Sequence, residues 1–338
     1  MLSRQLKIID ELEHTFANTP VIKLVVEYKK QEYTIYGKYE AVGFSGSLKD
    51  RIARYIIRDG YKTGKIKDDT IIVECSSGNT GIALTSLAKI IGNKTLIFIP
   101  EWMSEERFKI LNILGADVYK ISKGENGFER GIQLSKEWGK KPGYFCVSQF
   151  DNPLNLEAHY NTTAPELLNF MQSINTKPDL FVAGVGSGGV TMAFARLSKE
   201  RKIGYTTHPL EPNSCPILTN LKGIKQLGNH RIEGIADDIM PPLTDLTYLD
   251  EPVGIDDGDA IIMSQDICKM GISCGISGGA NLAGCIKQLH KTGGKTAITL
   301  FCDSAIKYLT TDLFKTEMPK ETYISSHVKI IDANIIRS

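Results

Sequence analysis

Between Ile52 and Phe301 two apolar rhythms take turns, and that alternation constrains the fold more than any single motif. Ile52 to Ile57 fall on one face of a helix, Thr70 to Glu74 is a β-branched run, Ala83–Ile91 is helical, and Thr95–Ile99 is extended again. The pattern continues through helix Glu105–Leu114, strand Asp117–Ile121, helix Phe128–Trp138, strand Tyr144–Val147, helix Leu156–Phe170, strand Leu180–Ala183 and helix Val190–Lys199. Helices around Ala260–Met270 and Gly279–His290 and a strand at Ala297–Phe301 follow. Parallel neighbours need long crossovers, so short strands separated by helices predict an α/β fold with mainly parallel sheets flanked by helices. Ahead of this region, a helix opens the chain and Val21 to Glu40 alternates around Lys29-Lys30-Gln31 as a strand pair. The alternating stretch at Val328-Lys329-Ile330-Ile331 predicts a further strand or a contact with a second subunit.

The chain has 338 residues, enough for two moderate cores. Its 40 Lys+Arg stand against 39 Asp+Glu, and a net charge of +1 makes no field that would gather nucleic acid or an anionic membrane. A small-molecule partner is the expectation. The N-terminus carries no uninterrupted apolar run, so neither a secretory signal nor a membrane span is expected, and cytoplasm is the default. Seven cysteines form no Cys-x-x-Cys pair, which suggests neither a disulfide framework nor a zinc site.

Four turns between a strand or loop and a helix carry residues suited to chemistry. Ser45-Gly46-Ser47-Leu48-Lys49 leads straight into a helix, where the helix dipole disfavours the charged amine and so favours a nucleophilic Lys49, as a Schiff-base lysine requires. Glu74-Cys75-Ser76-Ser77-Gly78-Asn79-Thr80-Gly81 offers hydroxyls, an amide and free backbone N–H groups at a helix start, a place for a small carboxylate. Gly184-Val185-Gly186-Ser187-Gly188-Gly189 lets backbone close around a phosphate at a helix N-terminus. Gly275-Ile276-Ser277-Gly278-Gly279 again opens a helix, and a neutral serine beside a pyridine nitrogen would not fix a full proton there. Taken singly, the first also fits a solvated lysine at a helix start, the second a simple N-cap, and the fourth small residues that let a helix approach a sheet closely. The third also satisfies the dinucleotide pattern Gly-x-Gly-x-x-Gly, with Glu211 about 20 residues on, so a nicotinamide-dependent dehydrogenase is an alternative. That alternative leaves the Lys49 and Asn79 segments without a role.

Together and in this order, the four turns resemble the tryptophan-synthase-β-like, fold type II family of pyridoxal-phosphate enzymes, in its cysteine synthase and cystathionine β-synthase branch. The resemblance runs from Asn18-Thr19-Pro20 to Tyr308-Leu309 and includes Pro100 to Arg107, Gln149-Phe150-Asp151-Asn152-Pro153, His159, Thr162-Thr163 and Leu210-Glu211-Pro212. It implies two interleaved domains with the cofactor in the cleft between them. Residues 1–19 and 42–152 would form a smaller, mobile domain, and residues 20–41 and 153–338 a larger one carrying the phosphate loop. It also implies Lys49 as the cofactor's Schiff-base partner and proton shuttle, Asn79 on the ring hydroxyl, Ser277 at the ring nitrogen, and Gly186, Ser187, Gly188, Gly189 and the Val190 backbone on the phosphate. Ser76, Ser77, Thr80 and Gln149 would hold the substrate carboxylate. Glu211 would then end a strand and bind no ribose. A homodimer is implied as well, and no metal.

The chain departs from the family pattern in several places. Gly43-Phe44 stands where Asn-Pro is usual, Cys75 replaces a proline, Ser76 and Val190 replace threonines, and Ala305-Ile306-Lys307 replaces Gly-Glu-Arg. Gly234-Ile235-Ala236-Asp237-Asp238 places two carboxylates where cysteine synthases have small residues. Asp237 or Asp238 could orient an incoming thiol or take a proton from water. The expected activity is a pyridoxal-phosphate-dependent β-replacement on cysteine, serine or O-acetylserine through an aminoacrylate intermediate, cysteine synthase-like. Its variants are a cysteine lyase releasing sulfide as water or another thiol enters, a cystathionine β-synthase-like reaction, and a catalytically silent binding protein.

Overall fold

The computed structural model describes residues 4–122, 124, 127–219, 229–236 and 239–337. After α1 (Arg4–Glu11), the antiparallel pair β1 (Val21–Tyr28) and β2 (Gln31–Tyr39) turns at Lys29 and Lys30, both at positive φ. Then come α2 (Lys49–Lys62), β3 (Ile71–Cys75), α3 (Asn79–Ile91), β4 (Lys94–Pro100), α4 (Glu105–Ile113), β5 (Asp117–Ile121), α5 (Gly127–Gly139) and β6 (Tyr144–Cys146). Strands β3 to β6 form an all-parallel sheet in the order β5-β4-β3-β6.

The chain then builds α6 (Pro153–Asn161), α7 (Thr163–Ser173), β7 (Leu180–Gly184), α8 (Gly189–Glu200), β8 (Thr206–Pro212), β9 (Val253–Ile255), α9 (Asp257–Lys269), α10 (Ile276–Thr292), β10 (Thr296–Phe301) and β11 (Val328–Ile336). The second sheet runs β11-β1-β2-β10-β7-β8-β9. Its β2-β10-β7-β8-β9 portion is parallel. The C-terminal strand expected from its alternation is present as β11, antiparallel to β1 at the sheet edge.

Period-two alternation sorts the core. Leu180 and Val182 pack with α9 and α10, whereas Phe181 and Ala183 face Phe194 and Leu197 of α8 and Leu167 and Phe170 of α7. Both faces of the larger sheet are therefore covered, as a parallel sheet requires. In the smaller sheet Ile72 packs with α2 and α3, and Val73 with Phe128 of α5.

One expected helix is divided. The stretch Leu156–Phe170 is two helices, broken at Thr162 (φ −128°, ψ −75°). Pro165 lies in the first turn of α7, where a missing N–H is tolerated; in a continuous helix its ring would clash with the carbonyl of residue 161. Strand β8 holds Pro209 and Pro212. Pro209 is accommodated because pairing with β9 begins only at Leu210, so its flank carries no ladder bond on that side.

Two backbone links tie the loop before α2 to the residues that follow β10. Ser47 bridges Asp303, and the Leu48 N–H donates to the Cys302 carbonyl at 2.8 Å. The loop before Lys49 is thereby fastened to the end of β10.

Candidate active site

All four sequence turns reach one cavity. Lys49, Ser77, Asn79, Thr80, Gln149, Gly186, Ser187, Gly188, Val190 and Ser277 line it. They arrive from the carboxyl ends of parallel strands in both sheets: β3 leads to Asn79, β6 to Gln149, β7 to the glycine loop, and β10 to Cys302. Parallel strands end together and their following helices begin there, which makes this the usual place for a ligand in such sheets.

Lys49 is the first residue of α2, half-buried, with its backbone N–H toward Ser47 Oγ at 3.4 Å. Its charge helps hold the nearby His159 imidazole well below the ordinary histidine value, though burial is the larger cause. His159 also lines the cavity and pairs through Nδ1 with Thr163 Oγ1 at 2.9 Å. Buried and depressed in this way, it is a neutral wall of the site.

The glycine loop fits a phosphate. Gly188 has φ +83° and caps the twelve-residue α8, a conformation that favours glycine. A Cβ on Gly186 would sit 2.5 Å from the Gly234 carbonyl oxygen, so only glycine allows this approach. Ser187 Oγ accepts from Asn155 Nδ2 at 2.8 Å, which leaves its own hydrogen to donate to a ligand. Gly189 is not on the cavity surface; it packs against Asn155 at the start of α8.

In the turn expected to receive a carboxylate, Ser77, Thr80 and Gln149 line the cavity and Ser76 does not. Thr80 Oγ1 donates to Gln149 Oε1 at 2.7 Å, and Gln149 Nε2 donates to the Cys75 carbonyl at 2.8 Å. Ser76 is buried and does not line the cavity; its Oγ accepts the Gly78 and Gly81 N–H groups at 2.9 and 3.1 Å, shaping the turn. Asp237 and Asp238 lie outside the described residues. Glu211 is buried and accepts from the Leu218 and Thr219 N–H groups of its own chain, so it has no ribose-binding role.

Side chains to which the sequence reading gave no role complete the surroundings. Arg107 is fully buried behind the α3 turn, donating from Nη1 to the Ser77 carbonyl at 2.6 Å and pairing with Glu233 at 3.0 Å. Glu233 lines the cavity next to Gly234, and burial raises its carboxyl above the ordinary range while Arg107 opposes that rise. Cys302, also on the wall, has its thiol pushed up to about 12 by burial, so it is an uncharged neighbour of Ser277. Glu233 directly precedes the Gly234-Ile235 pair and Arg107 ends the Pro100 to Arg107 stretch of the resemblance, but nothing local to Cys302 announces a site.

Glu74 supports the same wall from behind. Its Oε1 accepts the Cys75 N–H at 2.7 Å and its Oε2 the Gln149 N–H at 3.0 Å. Burial pushes its carboxyl up to about 8 from the ordinary 4.5. The folded chain therefore keeps a proton that the unfolded chain releases, and this contribution to stability is present below 4.5 and lost as pH rises through about 8. Unfolding free energies from urea titrations across that window are expected to fall more steeply in the native protein than in Glu74→Gln, by up to about 1.4 kcal/mol per pH unit. Parallel pH profiles for the two proteins would contradict the buried titration.

Loops at the ends of parallel strands in both sheets bring a helix-start lysine, a glycine loop at a second helix start and a neutral serine to one cavity, a combination suited to a phosphorylated aldehyde cofactor. The family model for pyridoxal-phosphate dependent enzymes matches residues 12–303, and the chain belongs to that family. It is a pyridoxal-phosphate-dependent enzyme of fold type II, in the cysteine synthase and cystathionine β-synthase branch.

Among its relatives, cysteine synthase B of Campylobacter jejuni is 34% identical over 91% of this chain and 100% of that protein. A hydrogen sulfide-producing enzyme from Fusobacterium nucleatum superposes with a TM-score of 0.93 at 39% identity, over 98% of this chain and 99% of that one. A mutant hydrogen sulfide-producing enzyme, solved with an α-aminoacrylate intermediate, gives a TM-score of 0.94 at 39% identity, over 98% and 100% of the two chains. No described helix is long and apolar enough to cross a membrane.

Proposed function

We propose that this enzyme carries out a cysteine synthase-like β-replacement on a small amino acid, with Lys49 holding the cofactor and sulfide leaving or entering at the β-carbon. The observation that carries the reading is the convergence of Lys49, Asn79, the Gly186–Gly188 backbone and Ser277 on one cavity. Bound pyridoxal phosphate supplies an electron-withdrawing ring that stabilises charge at Cα and so assists departure of a β-substituent.

The chain's own groups do the rest. The Ser187 hydroxyl and the backbone N–H groups at the start of α8 hold the phosphate, with Gly189 and Val190 contributing main chain only. Asn79 would hold the ring hydroxyl, and Ser277, a neutral side chain, would serve the ring nitrogen without supplying a full proton. Ser77, Thr80 and Gln149 receive the substrate carboxylate at the α3 N-terminus, where the buried Arg107 holds the Ser77 carbonyl. Ser76 serves that site through the turn it shapes. With the cofactor bound, the Lys49 amine would be the group that moves the Cα proton. Movement of the part built on the smaller sheet, residues 1–19 and 42–152, against the rest would exclude water during the reaction.

Within this reaction class we favour cysteine as substrate, with sulfide as the leaving group and water or a small thiol entering. Support comes from the 39% identity to hydrogen sulfide-producing enzymes over 98% of the chain, against 34% over 91% for cysteine synthase B. Glu233 lines the cavity, and Asp237 and Asp238 follow it four and five residues on in the sequence; carboxylates of this kind suit a water nucleophile that must lose a proton. The same reading makes the protein a homodimer, on its resemblance to the family, with cytoplasm as its default location.

The test is product analysis after incubation with cysteine alone, and with O-acetylserine plus sulfide. Cysteine alone is expected to yield sulfide and serine in equal amounts, and Asp238→Asn, or Asp237→Asn, to slow serine formation more than sulfide release. Turnover of O-acetylserine with sulfide but none of cysteine would return the assignment to cysteine synthesis.

A further inference from the structure

Lys307 stands where the family pattern has an arginine, and it is buried, 4% exposed, in the short turn after β10. Its ammonium donates to three acceptors: the Ser45 carbonyl at 3.1 Å, the Gly46 carbonyl at 3.1 Å and Asn79 Oδ1 at 3.0 Å. An ammonium has three hydrogens, so all are used. On the other side of the same amide, Asn79 Nδ2 donates to Asp303 Oδ2 at 2.7 Å. That carboxylate oxygen also accepts from the Tyr308 hydroxyl at 2.8 Å, and Asp303 is itself buried.

An asparagine amide can turn over, exchanging oxygen for nitrogen, and its two orientations offer a ligand opposite chemistry. Here the exchange would set NH2 against an ammonium and a carbonyl against a carboxylate, two like-polarity contacts in a buried region where screening is weak. With Oδ1 held by Lys307 and one Nδ2 hydrogen held by Asp303, the second Nδ2 hydrogen remains to be donated into the cavity that Asn79 lines.

We infer that Lys307 is a positioning residue, which with Asp303 locks the Asn79 amide so that a donor, not an acceptor, meets the cofactor's ring oxygen. The inference rests on the reading that pyridoxal phosphate is held by Lys49 with Asn79 on its ring hydroxyl. Lys307 also fastens the Ser45-Gly46 backbone three to four residues before Lys49, so one cation organises both contacts from outside the cavity.

The experiment titrates cofactor-free protein with pyridoxal phosphate and records the absorbance band of the bound form, for native protein, Lys307→Met, Asn79→Ala and the double variant. Lys307→Met is expected to weaken cofactor binding about ten- to a hundredfold, the worth of one hydrogen bond to a charged group, and to displace the band. In the Asn79→Ala background the same change is expected to weaken binding less than about threefold, because its target is gone. Native affinity and an unmoved band in Lys307→Met would overturn the inference. So would full additivity of the two substitutions, which would make Lys307 a staple of the loop alone. Lys307→Gln, read the same way, replaces a Lys307→Met that does not fold. Absence of any cofactor adduct on native Lys49 would refute the cofactor reading itself, whereas an adduct with an unaffected Lys307→Met refutes only the lock.

Discussion

Replacing Lys49 with alanine is expected to give a colourless protein whose turnover falls on the order of a thousandfold or more. The size of the loss follows from two tasks meeting in one amine: holding the cofactor's aldehyde and moving the Cα proton. Lys49 opens α2 where the glycine loop, Asn79 and Ser277 converge, and no other lysine lines the cavity among the described residues. The fold should survive, because Lys49 is half-buried at a helix end and α2 is held by its apolar face, with Ile52, Ala53, Ile56 and Ile57 in the core. Borohydride reduction followed by peptide mass spectrometry checks the assignment directly. A reduced pyridoxyl group found on another lysine, or none on native protein given the cofactor, would end it.

Arg51→Met is expected to destabilise the native state by about 3–5 kcal/mol, the loss typical when one partner of a buried ionic group is removed. Arg51 lies two residues beyond Lys49, and its side chain is 2% exposed. Its Nε meets Glu40 Oε2 at 2.7 Å, its Nη1 meets Glu166 Oε1 at 2.7 Å, and its Nη2 reaches both carboxylates at 3.0 and 2.8 Å. Lys38, fully buried, shares Glu166 at 2.8 Å. Methionine would leave Glu40 with the Thr19 hydroxyl as its remaining side-chain partner. The cluster ties the lysine-bearing helix to β2, to the turn after it and to α7, so its loss loosens the frame around the site. Urea unfolding measures the change, and Arg51→Met/Glu40→Met should recover part of it by removing the stranded charge. A loss below about 1 kcal/mol would mean that the carboxylates find water instead.

Much of the fold is visible in local pattern because strand and helix periods differ, and the chain keeps each period for a full element. The glycine loop and the helix-opening lysine are equally legible, since a phosphate cradle needs adjacent glycines and a helix start directly after a strand. The break at Thr162 was also available locally, in the position of Pro165. Strand β8 gives a poorer signal because Pro209 and Pro212 are tolerated only through the pairing limits of β9.

Arg107, Glu233, Cys302 and the lock on Asn79 belong to another category. Asn79 and Asp303 lie 224 residues apart, and Lys307 and Ser45 lie 262 apart, yet each pair is in hydrogen-bond contact. Local periodicity says nothing of such pairs, because their meeting depends on strand order and on how the two sheets are set against each other. By itself the sequence determined the alternating elements, the four turns and the chemistry those turns can perform, since each rests on neighbours within a few residues. Only the tertiary structure decided which turns share a cavity, that Ser76 shapes a turn instead of lining it, and that a buried ammonium and carboxylate hold the amide between them. Those outcomes depend on burial and on through-space electrostatics, which arise only once distant segments pack together.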